Sequence, residues 1–433
     1  MSDRGFIFDY SRCVGCHACI VACYNQNHTE PPMAWRMVVN GNPLKIPLKG
    51  FINLSLACNH CIDAPCMSNC PAIAYSRDDE TGAIIHSPLK CIGCKYCTWA
   101  CPYEAPKYNP DKGVVEKCNF CNDLLKVGGI PACAVACPTG ALTFGEIKVE
   151  ANLSKPGFPE VATSPRINVA NESINDSLPE MAIEATGLQQ SDFAETYSPR
   201  IHPAKEIPLF VFTYLSAALV GWFITFYRLE KISYFSKISF ILLLAFAGFA
   251  SLFHLGKPLR AIRALLHVKS SWLSREIALF GLFAFSGLLY VLTEKPPLFW
   301  FSVVVGTVFL ISLEMVYHVV RKNYSTPIHS ANTLLTASTL FSLITLSKAF
   351  VLLATIKLLL YLVRHAYIQK FNPKKVIFSL IRFLGILIPL VGLLFGLIPE
   401  NIAPFLTLFL IGEFIDRYEY YASIDTHNPF QSI

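Results

Sequence analysis

Apolar and polar positions divide the 433-residue chain into three stretches. Up to Gly145 the apolar runs are short. Ile84-Ile85 and Val114-Val115 each read as part of a small strand, and Gly82, Gly113 and Gly140 mark turns. Over 146–206 the pattern turns polar and rich in proline, from Pro156 to Pro203, and no helical or alternating period persists. A structureless stretch of this length is uncommon inside a compact domain, so it reads as a linker or an extended arm. From Ile207 onward the runs are long. Ile207–Tyr227 is 21 residues without a charge, enough at about 1.5 Å per residue to cross about 30 Å of hydrocarbon. Further spans are expected at 238–256, 277–293, 298–320, 376–398 and 402–421, and 331–367 reads as two spans hinged near Lys348. The expected architecture is multidomain. An α+β domain occupies 1–145, the linker or arm 146–206, and an all-α polytopic membrane bundle of about eight helices 207–433. The number and length of the apolar runs exclude the buried helices of a soluble core.

Composition sharpens this division. Hydrophobic residues make up 53% of the chain and charged residues 15%, against about 25% charged in soluble domains. Residues 1–206 carry a net charge of −4 and residues 207–433 a net of +10. A basic balance in an apolar half points to membrane flanks. No basic run interleaved with aromatics occurs, so no nucleic-acid partner is expected. All 16 cysteines lie between Cys13 and Cys137. Met1–Tyr10 shows neither a basic segment followed by a long apolar core nor twin arginines. The cysteine-rich part is therefore expected in the cytosol, where disulfides are rare and metal is the better explanation.

The cysteines form four runs: Cys13-x2-Cys16-x2-Cys19-x3-Cys23; Cys58-x2-Cys61-x4-Cys66-x3-Cys70-Pro71; Cys91-x2-Cys94-x2-Cys97-x3-Cys101-Pro102; and Cys118-x2-Cys121-x11-Cys133-x3-Cys137-Pro138. Runs one and three have bacterial ferredoxin spacing, with Tyr24 in place of the usual proline after run one. The two-residue gaps let a loop offer three thiolates to one cube. The fourth cysteine opens a helix that points away, toward the other cluster of a pair. Sixteen thiolates at four per cube give four [4Fe–4S] clusters. Zinc ribbons use two separate Cys-x-x-Cys pairs and need neither the three-then-one spacing nor the trailing prolines. Lys90, Lys95, Lys107 and Lys117 lie near the cysteines and are each read as part of a solvated face.

Orientation follows from Lys and Arg in the loops. With eight spans, 14 of them fall on the amino-terminal side, Arg364 and Arg417 included, and 5 on the other. This places the cysteine domain in the cytoplasm. Ionisable residues inside spans are functional candidates. His254 ends the second span and Glu276 opens the third, a pair able to hydrogen-bond a quinol and accept its protons. Glu314, Lys357, Arg382 and Glu413 lie deeper. For Lys357 and Arg382, snorkelling or helix pairing is the expected role, and Glu413 is a candidate for a proton path. Histidines of the second half are His254, His267, His318, His329, His365 and His427, and no helix carries two well-spaced candidates, so no heme is expected.

The motifs CVGCHAC, CNHCIDAPC, CIGCKYCTWACPYEAP and ACPTGAL resemble those of the four-cluster iron–sulfur subunit of dimethyl-sulfoxide-reductase-type molybdoenzymes. The stretches KEIPLFVFT, FHLGKPLRAIRAL, WLSREIALFG and LIGEFIDR resemble that complex's membrane anchor, here fused into one chain. The resemblance implies a quinol site, menaquinol included, at His254 and Glu276, with Arg260 in the same motif. It implies that run one pairs with run four and run two with run three. The sets would be Cys13, Cys16, Cys19, Cys137; Cys58, Cys61, Cys66, Cys101; Cys91, Cys94, Cys97, Cys70; and Cys118, Cys121, Cys133, Cys23. It also implies a separate molybdopterin subunit as catalytic partner, and an anchor without heme. The expected function is a membrane electron-transfer subunit drawing on the quinone pool of the cytoplasmic membrane. The same wire run in reverse, or a membrane redox sensor, are the alternatives.

Overall fold

The computed structural model describes residues 4–40, 53–153, 155, 158–170, 201, 206–320, 329–368, 373–398 and 401–424. They form two compact units, one within Met1–Arg200 and one within Ile201–Asp425.

The first unit is built from small hairpins and one-turn helices. Its main sheet has the order β8-β1-β9, with β1 (Arg4–Asp9) antiparallel to β8 (Leu142–Glu146) and parallel to β9 (Ile167–Ala170). Period-two alternation in β1 sends Phe6 and Phe8 inward. Phe6, Phe120 and Phe144 then meet edge to face at 5.1–5.7 Å. Gly5 is required here, because a Cβ at that position would lie 2.4 Å from the Arg166 carbonyl oxygen. Three further hairpins follow: β2 (Met37–Asn40) with β3 (Asn53–Leu56), β4 (Tyr75–Arg77) with β5 (Ile84–His86), and β6 (Lys107–Asn109) with β7 (Val114–Glu116). The strands expected at Ile84 and Val114 are thus present. Five helices alternate with these strands: α1 (Ala18–Asn27), α2 (Pro65–Ser68), α3 (Tyr96–Ala100), α4 (Asn122–Lys126) and α5 (Ala132–Val135).

The stretch read as linker or arm begins later than residue 145. Phe158 is buried, Thr163 Oγ1 bonds the Tyr103 hydroxyl at 2.7 Å, and Ile167–Ala170 completes the main sheet. Period analysis missed this because β9 is four residues long and isolated among prolines. Residues 171–200 and 202–205 of the stretch lie outside the described residues.

The second unit holds eight helices among the described residues: α6 (Ile207–Thr225), α7 (Tyr234–Phe253), α8 (Trp272–Thr293), α9 (Pro296–His318), α10 (Thr333–Ile344), α11 (Ala349–Ile368), α12 (Pro373–Leu394) and α13 (Ala403–Ala422). The break between α10 and α11 falls at 345–348, where Leu346 adopts φ +48°. Five helices are long and apolar enough to cross a membrane: α6, α7, α8, α9 and the Ile377–Leu394 part of α12. Helix α10 has only 12 residues, α11 carries Lys357 and Arg364, and α13 carries Glu413, Asp416, Arg417 and Glu419. The chain is a multi-pass membrane protein.

Helix α6 is central and packs on α7, α9, α10 and α13. Contacts this close need small residues. A Cβ at Gly221 would lie 2.6 Å from the Ala337 carbonyl oxygen of α10. Gly385 of α12 and Gly412 of α13 face each other, so that a Cβ on Gly385 would lie 3.0 Å from the Gly412 Cα.

Candidate cluster sites and the polar interior of the helices

The first Cys-x-x-Cys loop of each run turns on its third residue. Gly15, His60, Gly93 and Phe120 all have left-handed backbone, at φ +68°, +45°, +72° and +68°. The turn aims backbone N–H groups at the preceding cysteine. His60, Gly93 and Phe120 donate to the sulfurs of Cys58, Cys91 and Cys118 at 3.3–3.4 Å. Ala74 N–H donates to Cys70 Sγ at 3.3 Å and Leu142 N–H to Cys137 Sγ at 3.4 Å. Such donors stabilise charge on sulfur. Left-handed backbone is costly for His60 and Phe120, and their rings stack on each other at 4.1 Å.

The fold brings the expected quartets of thiols together. Cys13 lies among Cys19, Cys137 and Cys16. Cys61 lies among Cys58, Cys101 and Cys66, and Cys97 among Cys94, Cys70 and Cys91. Cys23 neighbours Cys133 and Cys121, and Cys118 neighbours Cys23 and Cys133. All sixteen cysteines are free of disulfides. Two apolar pockets are each lined by one whole quartet, the first and the second respectively. Burial pushes the Cys23 thiol up to about 12 and raises Cys13, Cys19 and Cys70. Thiols so placed carry charge only when a metal takes the proton's place. A single tetrahedral zinc would draw its sulfurs to within about 4 Å of one another. Four thiols around one apolar pocket are the ligand set that an iron–sulfur cluster takes.

Lys117 corrects the solvated-face reading. It is 3% exposed, and its Nζ donates to the carbonyls of Ile84 and Cys118 at 2.5 and 2.8 Å.

In the second unit His254 caps the end of α7, Arg260 lies in the 3-10 segment Pro258–Leu265, and Glu276 is buried in the opening turns of α8. The 3-10 segment packs on both helices, so all three residues stand at the same end of the α7/α8 pair. Ser271 caps α8, and Arg275 donates to the carbonyls of Val268 and Lys269 while stacking on Trp272 at 4.3 Å. These bonds fix the loop ahead of Glu276.

A second polar group runs through the interior. Lys357 Nζ donates to Glu413 and Thr336 at 2.7 Å each, and Thr336 Oγ1 donates to Glu413 at 2.8 Å. Arg382 pairs with Glu413 at 3.0 Å and with Asp416 at 2.7 Å. Arg364 pairs with Asp416 at 2.5 Å, and Ser330 Oγ donates to the same carboxylate. Arg417 binds Glu314 at 3.1 Å, Thr213 and the Ala331 carbonyl, and His329 Nε2 meets Glu314 at 2.9 Å. The Tyr317 and Tyr421 hydroxyls bond each other. Helix pairing is thus the role of Lys357 and Arg382. Arg364 and Arg417, counted above as loop charges, are buried inside helices, so the loop tally becomes 12 against 5. Asp416 and His329 went unnoticed as interior partners. The signal was available in spacing: Lys357 and Arg364 seven apart, and Glu413 and Asp416 three apart, place opposite charges on matching helix faces. Of the carboxylates buried within the helices, Glu276, Glu314, Glu413 and Asp416, Glu276 is the one with no hydrogen bond or ion pair among the described residues.

Hairpins that carry N–H-supported thiol quartets, joined to a polytopic bundle, define an iron–sulfur electron-transfer module with its own membrane anchor. Residues 51–147 match the 4Fe-4S dicluster domain family and residues 202–394 match the DMSO reductase anchor subunit family. The thiosulfate reductase electron transfer subunit PhsB of Salmonella typhi is 42% identical over 144 residues, which is 33% of this chain and 74% of that protein. The B subunit of the anaerobic dimethyl sulfoxide reductase of Escherichia coli is 34% identical over 181 residues, 40% of this chain and 87% of that protein. Protein NrfC of Escherichia coli is 37% identical over 145 residues, 33% of this chain and 65% of its own length. The chain thus belongs to the family of iron–sulfur electron-transfer subunits of dimethyl-sulfoxide-reductase type, with the anchor subunit fused behind it.

Proposed function

We propose that this chain oxidises a quinol, menaquinol by preference, at His254, Glu276 and Arg260, and delivers the electrons to a separate molybdopterin catalytic subunit in anaerobic respiration. The quartets would hold four [4Fe–4S] clusters: Cys13, Cys16, Cys19 and Cys137; Cys58, Cys61, Cys66 and Cys101; Cys91, Cys94, Cys97 and Cys70; Cys118, Cys121, Cys133 and Cys23. When bound, the clusters supply one-electron transfer. Sulfur neighbours support a linear order of quartets, first, fourth, second, third, through Cys19 beside Cys133, Cys118 beside Cys58, and Cys66 beside Cys70. The anchor would cross the inner, cytoplasmic membrane eight times, with the cluster domain on the cytoplasmic side, as the 12 to 5 loop tally favours.

Quinol oxidation breaks two O–H bonds and releases two electrons and two protons. The observation that carries the reading is Glu276. It is a buried carboxylate with no ion pair or hydrogen bond among the described residues while its neighbours are spent in ion pairs, at the same helix end as His254. A base held in reach and not already paired is what proton abstraction requires. Arg260 would orient the quinol oxygens. Glu413, held between Lys357 and Arg382, is the deeper candidate on a proton path.

Glu276→Gln in the full chain in its membrane tests this. Quinol-driven bleaching of the cluster absorbance should slow about 100-fold or more, while bleaching by dithionite stays unchanged. Quinol-driven bleaching at the wild-type rate would remove Glu276 from the site.

A further inference from the structure

Granted the four-cluster assignment, we propose that Arg36 is a fixed cation shared by the first and fourth clusters, and that it raises the reduction potentials of both. Arg36 precedes β2 and is 2% exposed. A guanidinium keeps its charge in a protein, and a buried charge is costly unless something offsets it. Among the described residues no carboxylate does so. Nη1 donates to Ser55 Oγ at 3.0 Å and to the Ser55 carbonyl at 3.3 Å, and the guanidinium lies 4.5 Å over the Phe6 ring. Among the described residues, Nε and Nη2 have no hydrogen-bond partner.

The groups bearing on this cation are sulfurs. Cys133, Cys118, Cys19 and Cys23 lie close enough to act on it once a cluster makes them thiolates. Cys19 belongs to the first quartet and the other three to the fourth. The Ser55 hydroxyl ties the two ends together, 3.0 Å from Arg36 and 3.4 Å from Cys19 Sγ. A cube held by four thiolates is net negative, and reduction adds one more negative charge. In a poorly screened interior a nearby cation therefore favours the reduced form. The two unpartnered donors are those that cluster sulfur would accept. Lys117 differs, since backbone carbonyls take its ammonium.

The test is an EPR-monitored redox titration of the full chain in its membrane. Arg36→Met keeps an apolar stem and removes the charge, and Arg36→Lys keeps the charge. With one iron per cysteine retained, Arg36→Met should lower two of the four potentials, each by at least a tenfold change in the one-electron equilibrium, about 59 mV. Arg36→Lys should stay near wild type. Unchanged potentials, or an equal fall of all four, in a fully loaded Arg36→Met would overturn the proposal. If Arg36→Met does not retain iron, pulsed EPR of wild-type protein carrying ¹⁵N-arginine decides. A guanidinium-nitrogen coupling at reduced clusters that Arg36→Lys lacks supports the proposal, and no coupling in wild type overturns it. A wild-type iron content well short of one per cysteine would instead sink the cluster assignment.

Discussion

At the scale of single residues, the third position of the first Cys-x-x-Cys loop in each run sets the cluster-binding geometry. Two loops use glycine, for which left-handed backbone carries no steric cost, and two use aromatic rings whose stacking offsets it. Gly15 is the tighter of the constraints, since a Cβ there would lie 2.9 Å from Asn53 Oδ1, and Asn53 Nδ2 donates to the Cys13 carbonyl. Gly15→Ala should therefore destabilise the first unit by about 1–3 kcal/mol and lower its iron content, measured by thermal loss of cluster absorbance. His86 gives a pH signature. Burial pushes it down to about 4, with the nearby Lys117 acting the same way. Between an unfolded value near 6.5 and that folded value, the unfolded state takes up a proton that the folded state does not. Stability should fall as pH drops through this window. His86→Gln should flatten the slope in denaturant titrations run at pH 7 and pH 5, and an unchanged slope would exclude His86 as its source.

At the scale of elements, the second unit combines glycine contacts with buried ion pairs. Hydrophobicity gives helices in lipid little reason to associate, so small residues and polar bonds do so instead. The Gly385–Gly412 crossing brings α12 against α13, and Arg382 then reaches Glu413 and Asp416. Gly412→Leu should separate the pair and reduce folded protein recovered in detergent. Lys357→Met should cost about 3–5 kcal/mol, because it removes one partner of a buried pair. The joint change of Lys357→Met with Glu413→Gln should recover part of that loss, and a double variant no better than the single would show that the pair is not coupled. Arg382 also holds Glu413, so recovery is expected to be partial.

At the scale of the whole molecule, two modules share one polypeptide, and the iron–sulfur relatives PhsB and NrfC each match a third of its length. Metal analysis should find one iron for each of the 16 cysteines, and zinc in their place would refute the cluster reading. The element pattern was legible in advance because its signals are local. Thiol spacing needs only the loop, and a span needs only a run of uncharged residues. Among the described residues, eight helices lie along the apolar runs, five of them long and apolar enough to cross a membrane, and the thiols of each cysteine set are neighbours. What was misread is non-local. Strand β9 is too short to show a period, Lys117 and Arg364 look like ordinary surface cations, and Arg417 looks like a loop charge.

The amino-acid sequence by itself determined the division into a cysteine-rich domain and an apolar helical half, the cluster class, and the candidates His254 and Glu276. These follow from residue type and spacing along the chain, whereas Arg260 was implied by the family resemblance. Tertiary structure alone decided which charges are committed. It paired Lys357, Arg364, Arg382 and Arg417 with carboxylates from other helices, left Glu276 without a partner among the described residues, and buried Arg36 among sulfurs of two quartets. The physical reason is that a charge's role depends on what lies within a few ångströms of it, and in this chain those partners are tens to about two hundred residues away in sequence, as with Arg417 and Thr213.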